Sequence, residues 1–265
     1  MGDNEYIRVV RDGPIATVTL NRPQVHNAFN EHVVAQLKSA FDEVAPATSV
    51  RVVVLRGEGK SFSAGADLDW MRRAGSFSEE ENRRDAAAAA ALWRTIAECP
   101  KPVISRVHGN AYGGGAGLVA ASDIAIAADT AMFGFTEVRL GLVPATVAPH
   151  VVAKIGAGRA LPLFLTGERF DAQRALAIGL VHQAVAPPQL DVAVGDAVDA
   201  LLMGGPYALS VCKDLIRTIE STAAAAIDAY TADLIASARS GEEGREGVQA
   251  FLQKRTPMWA DQADP

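Results

Sequence analysis

Five glycines lie between residues 109 and 117, directly after the apolar stretch Val103 to Val107, and no other feature constrains the chain as much. Glycine accumulates where backbone must turn tightly or come close to something. The segment Ser105-Arg106-Val107-His108-Gly109-Asn110-Ala111-Tyr112-Gly113-Gly114-Gly115-Ala116-Gly117 therefore predicts a strand running into a helix that ends near Ser122. Peptide N–H groups at such a helix start are unshielded and sit at the positive end of the macrodipole. They suit an anion, or an oxygen that becomes one. A phosphate loop would need Lys and then Ser or Thr after Gly114, where Gly115 and Ala116 stand; a dinucleotide fingerprint would need glycine at Leu118. An oxyanion hole is what remains, beside the plain alternative of a helix start packed too closely for side chains.

At 265 residues, with 49% hydrophobic residues and no linker-like block of Pro, Ser and charge, the chain predicts a folded globular unit. A net charge of −6 argues against a nucleic-acid surface, which needs clustered Lys and Arg. The segment Gln36 to Glu43 has only Lys38 against Asp42 and Glu43, so it offers no basic helix face. Cys99 and Cys212 are far apart and fall in no metal-ligand spacing. Met1 to Glu5 is acidic with no apolar core, and no apolar run approaches the ~20 residues of a membrane helix. These features lead to the expectation of a cytoplasmic protein without metal, membrane or nucleic-acid partners.

In chain order, Tyr6 to Val10 and Ile15 to Leu20 flank Asp12-Gly13-Pro14 and predict a hairpin. Phe29, Val33, Leu37, Phe41 and Val44 form one apolar stripe of a helix starting near Asn27 or Asn30. Val50 to Leu55 predicts a strand buried on both faces. It leads to Ser61-Phe62-Ser63-Ala64-Gly65-Ala66-Asp67-Leu68, where small residues again allow a close approach and Asp67 can cap the next helix. Glu79 to Glu98 predicts a helix containing alanines 86 to 91 and stopped by Pro100 and Pro102. Ile124 to Ala127 and Ala131 to Phe135 predict short strands; from Pro144 the pattern is helical apart from one strand at Leu180 to Val185. The repeated order of strand, helix and strand predicts an α/β chain wound as a spiral, with a ligand at strand ends beside helix starts.

With both glycine stretches placed, the sequence resembles the enoyl-CoA hydratase/isomerase, or crotonase, superfamily. The resemblance rests on Leu20-Asn21-Arg22-Pro23 with Asn27-Ala28-Phe29, on Phe62 to Leu68, Lys101-Pro102-Val103-Ile104, Gly109 to Gly115, Leu165 to Ala172, Gly179-Leu180-Val181 and Glu246 to Phe251, in the family's order. It implies a spiral α/β core over 1–200 carrying a CoA thioester site, and a helical region over 201–265 used for assembly as a homotrimer or dimer of trimers. It implies coenzyme A as part of the substrate, with no separate cofactor. It also places the oxyanion donors at the N–H groups of Ala66 and Gly114. Ala64, Ala66 and Leu68 would line the CoA groove, with Gly65, Asp67, Gly113 and Tyr112 beside it.

Hydratases of the family carry one glutamate two residues after the glycine run and a second some twenty residues later. Here the first position is Gly117 and the second is Glu137. A glutamate among apolar residues has its pKa raised and can shuttle a proton near neutrality. Loss of the first carboxylate suits double-bond isomerisation, which needs one base. The run Thr136 to Ala145 instead resembles bacterial hydratases of 3-methylglutaconyl-CoA and related branched substrates, and hydratase is the expectation placed first. Arg139 and Arg106 are the candidates to pair a distal carboxylate, and Tyr112 and His108 the candidates to hold a water. A homologue that binds acyl-CoA without turnover is the alternative of another class.

Overall fold

The computed structural model describes residues 6–261, so the acidic opening Met1 to Glu5 lies outside it. β1 (Ile7–Asp12) and β2 (Ile15–Leu20) form the expected hairpin, Ile7 facing Leu20 and Asp12 facing Ile15, around Gly13 at φ +50°. The further strands are β3 (Val52–Gly57), β4 (Val103–Val107), β5 (Ala111–Tyr112), β6 (Ile124–Ala128), β7 (Met132–Gly134), β8 (Arg169–Asp171) and β9 (Gln183–Val185). The main sheet has the order β1-β2-β3-β4-β6-β9, parallel from β2 onward. A second sheet, β5-β7-β8, crosses the end where the glycine stretch emerges.

The first helices are α1 (Glu31–Val44), α2 (Leu68–Ala74), α3 (Glu79–Ala97) and α4 (Gly114–Ala121). The chain then forms α5 (Ala148–Ile155), α6 (Ala157–Thr166), α7 (Ala172–Ile178) and α8 (Leu190–Leu202). It closes with α9 (Pro206–Ser221), α10 (Ala224–Ser240), α11 (Glu242–Gln253) and α12 (Met258–Asp261). α1 begins where Asn30 accepts the Val33 N–H at 2.9 Å, and its stripe Val33, Leu37, Phe41 and Val44 is buried. α3 begins with a capping box between Ser78 and Glu81.

The continuous apolar run of β3 serves two cores, because successive side chains in a strand point to opposite faces. Val53 and Leu55 join α1, α3 and α4 in the larger core. Val52 and Val54 pack with Ile104 and Ile126 against Leu190, Val194, Val198 and Leu202 of α8. α4 is buried from Gly115 to Ala121. At its C-terminal end, Lys154 donates to the carbonyls of Ser122 and Asp123, and burial lowers the Lys154 pKa to about 8.

Three sequence expectations are corrected. β8 is a strand where only helix was expected after Pro144, apart from Leu180 to Val185; with one apolar residue, Phe170, it is too short to show alternation. Phe170 earns its place by stacking on Phe133 of β7, ring centroids 5.9 Å apart. β3 runs Val52 to Gly57, two residues later than the apolar pattern, because the Arg51 and Val52 N–H groups both donate to the Pro14 carbonyl as the strand enters. The strand expected at Leu180 to Val185 narrows to Gln183–Val185.

The segment between β3 and α2 is fixed by a buried ion pair. Arg22 Nη1 lies 2.9 Å from Asp67 Oδ2, and the same nitrogen donates to the Ala28 carbonyl at 2.7 Å. Asp67 also caps α2, accepting the Asp69 and Trp70 N–H groups at 2.9 and 3.1 Å. Burial alone would raise its pKa; the Trp70 N–H and Arg22 outweigh that and lower it. Arg22→Met would leave Asp67 buried without its cation, and urea denaturation is expected to show a loss of about 3–5 kcal/mol.

Candidate active site

Two turns meet at the C-terminal ends of the parallel strands. Gly65 has φ +86°, and a Cβ there would stand 2.8 Å from the Tyr112 carbonyl oxygen, so the first glycine turn lies directly on the second. Gly113, at φ +50°, turns the chain into α4. Gly114 opens that helix, and the first N–H groups of a helix have no partner within it.

Ala66 presents a second donor, without a partner among the described residues. Phe29 N–H bonds to the Gly65 carbonyl at 2.7 Å, and Asp67 N–H to the Phe29 carbonyl at 2.8 Å. These flanking groups face Phe29, so in extended backbone the Ala66 N–H faces the other way.

Ala66, Gly114 and Glu137 line one cavity of about 200 Å³. Glu137 opens a 3-10 turn over Glu137–Leu140, and its Oε1 would be 3.2 Å from a Cβ on Gly113. Its Oε2 is buried without a hydrogen-bond partner, and burial raises its pKa. Phe29 and Trp93, edge to face with centroids 5.6 Å apart, close one side, and Leu142, Val143 and Val147 close another.

The position two residues beyond the glycine run is not merely empty of a carboxylate. A Cβ on Gly117 would lie 2.3 Å from Val147 Cγ1. Val147, 2% exposed, occupies the space a side chain at 117 would need.

The other expected site residues separate. Gly65 and Gly113 form the turns themselves. Ala64 and Leu68 are exposed outside the cavity, Leu68 at 77%. Asp67 pairs with Arg22 and caps α2, the capping role that its sequence position also allowed. Tyr112 lies half-buried under the Arg169 guanidinium, 4.7 Å from its ring centre. Arg139 is exposed with its Nε 3.4 Å from the Thr166 carbonyl, and Arg106 pairs with Asp191 at 2.5 Å. His108 Nε2 is 2.9 Å from the Gly59 carbonyl. None of these four reaches the cavity, so neither the carboxylate-pairing nor the water-holding expectation is met by them. In their place the cavity has Trp70, Asp85, Ala89, Trp93 and Val147, none of which was expected. Asp85 sits in a polar run indistinguishable from a solvated face, and Ala89 in an alanine run read as a plain helix surface.

The sequence profile of the family described as enoyl-CoA hydratase/isomerase matches residues 11–262. The chain belongs to the enoyl-CoA hydratase/isomerase family. Within this family, a crotonyl-CoA hydratase of Syntrophomonas wolfei is 32% identical over 95% of this chain and 96% of that one. The 2,3-dehydroadipyl-CoA hydratase of Escherichia coli strain K12 is 32% identical over 94% of this chain and 96% of its own. The crystal structure of an enoyl-CoA hydratase from Shewanella pealeana superposes with a TM-score of 0.93 at 37% identity, covering 96% of each chain. The spiral α/β architecture is the crotonase fold, as the resemblance of motifs along the chain implied.

Two outcomes follow from this geometry. Gly117→Ala drives a methyl group into Val147 and is expected to cost about 1–3 kcal/mol of stability, most of it recovered by adding Val147→Ala, as read by thermal denaturation. Glu137 contributes stability that is present while its carboxyl is protonated and lost as pH rises through its raised folded pKa. Glu137→Gln is therefore expected to melt above the parent at pH 8, with the difference vanishing below the ordinary glutamate pKa.

Proposed function

We propose that this chain adds water to the double bond of a 2-enoyl-CoA thioester, with Glu137 as the only carboxylate in proton transfer. The observation that carries this is a buried, unpartnered Glu137 oxygen in the same cavity as the free N–H groups of Ala66 and Gly114. Relatives named as hydratases of crotonyl-CoA and 2,3-dehydroadipyl-CoA support the hydro-lyase assignment.

The thioester carbonyl oxygen takes the two N–H donors, each contributing ~3 kcal/mol as negative charge develops on it. Glu137 takes a proton from water while the water oxygen bonds to the β-carbon and the C=C electrons move onto the thioester as an enolate. The protonated Glu137 then delivers that proton to the α-carbon, and the carboxylate is restored. One residue can act first as base and then as acid, and burial moves its pKa upward, in the direction that makes the carboxyl a better base. The Trp93 indole N–H, buried without a partner and lining the cavity, is the donor we assign to the water oxygen.

The acyl group meets Phe29, Val34, Ala89, Leu142, Val143 and Val147, walls suited to an apolar chain. The methyl branch of a 3-methylglutaconyl-like substrate fits them; its distal carboxylate finds no cation among them. Exposed Ala64 and Leu68 flank the path of the CoA portion. The exposed apolar residues Ile216, Val248, Phe251 and Leu252 on α9 and α11 support assembly of the 201–265 region as a homotrimer or dimer of trimers.

A second activity has its own support. Val147 closes the Gly117 position with an apolar side chain, which favours transfer of a proton by a lone base, as in conversion of a 3-enoyl to a 2-enoyl thioester.

Mass spectrometry of products from crotonyl-CoA, 3-methylglutaconyl-CoA and a 3-enoyl-CoA tests both. From crotonyl-CoA the expected product is heavier by one water, and Glu137→Gln is expected to slow its formation by at least about a hundredfold. An isobaric 2-enoyl product alone would move the chain to isomerisation. Binding of all three without any product would overturn both catalytic assignments.

A further inference from the structure

One wall of the cavity is a stripe of α3. Asp85, Ala89 and Trp93 follow at steps of four residues, on one face of that helix, and all three line the cavity. Trp93 stands at the reacting end, 3.4 Å from where a Cβ on Gly114 would lie. Asp85 is eight residues earlier, about 12 Å along the helix axis. A chain leaving the thioester along Trp93 and Ala89 therefore runs toward the Asp85 carboxylate.

The ionisable side chains that line the cavity itself are all acidic. They are Glu31, Asp85 and Glu137, with no Lys, Arg or His among them. Glu31 is held by Arg73 at 2.6 and 2.8 Å, and Arg73 does not line the cavity. Asp85 has no ion pair among the described residues; its partner is the Trp70 side chain. Burial, and then the charge of Glu31, raise its pKa against that hydrogen bond. The neighbouring Arg83 is turned to Glu79 and Glu80 on the exposed side of the helix.

We propose that Asp85 is a specificity-determining residue at the far end of the acyl cavity, which admits uncharged chains and excludes those ending in a carboxylate. This rests on the cavity being the acyl site of a CoA thioester. A terminal carboxylate entering it loses water, finds no cation, and approaches a like charge. The exclusion strengthens with chain length, because each added methylene brings the terminus nearer Asp85.

The test is calorimetric binding of saturated CoA esters to the full chain, comparing octanoyl with suberyl at eight carbons and butyryl with succinyl at four. The parent protein is expected to bind octanoyl-CoA about tenfold or more tightly than suberyl-CoA, with a smaller gap at four carbons. Asp85→Asn is expected to narrow the eight-carbon gap, and Asp85→Lys to close or invert it. Glu80→Gln, which removes an exposed charge from the same helix, is expected to leave the gap in place. Equal eight-carbon affinities in the parent, or a gap that both Asp85 variants preserve, would overturn the proposal. Saturated esters have no double bond to hydrate, so the gap is read apart from turnover. Discrimination without hydration of crotonyl-CoA would remove the proposed activity and leave the role of Asp85; hydration without discrimination would do the reverse.

Discussion

The contact of one backbone turn with another, with no side chain between them, is the constraint on which the site depends. A Cβ on Gly65 would stand 2.8 Å from the Tyr112 carbonyl oxygen, and one on Gly115 would stand 2.6 Å from the Ser63 carbonyl oxygen. The bridges Phe29 to Ala66 and Ser63 to Ala111 tie the same turns to each other and to the start of α1. Two peptide groups from distant parts of the chain are thereby brought to one cavity. Peptide donors held this way need no reorganisation when charge develops before them, which is the basis of electrostatic preorganisation.

The apolar packing that holds these turns also sets the chemistry of Glu137. Phe29, Trp93 and Val147 line the same cavity as the carboxyl, whose burial disfavours its charged form. Val147, in the same cavity, denies room to any side chain at 117. A one-carboxylate site is therefore a property of the packing, and not of position 117 alone. Restoring a glutamate there would require a smaller residue at 147 as well.

Local signals made much of the fold legible. The Asp-Gly turn, the Asn30 cap with its four-three apolar stripe, and the doubly buried β3 are each encoded within a few residues, where propensity and periodicity act. Of the small second sheet, β7 was legible as a strand but β8 was not, because Arg169–Asp171 becomes a strand through the packing of Phe170 on Phe133 across the chain. In the site, Ala66, Gly114 and Glu137 could be anticipated from their motifs. Trp93, Val147 and Asp85 could not, since each enters the cavity through a helix or loop whose own sequence looks like core or surface.

The sequence by itself offered two glycine stretches at strand ends, and its resemblance to a family singled out the glutamate some twenty residues on. Tertiary structure decided the rest. It turned Arg106 and Arg139 away from the cavity, set Val147 against Gly117, and placed Asp85 on the same wall as Trp93. The physical reason is that backbone conformation is written in local steric preference, whereas the surroundings of a charge depend on which distant elements pack around it.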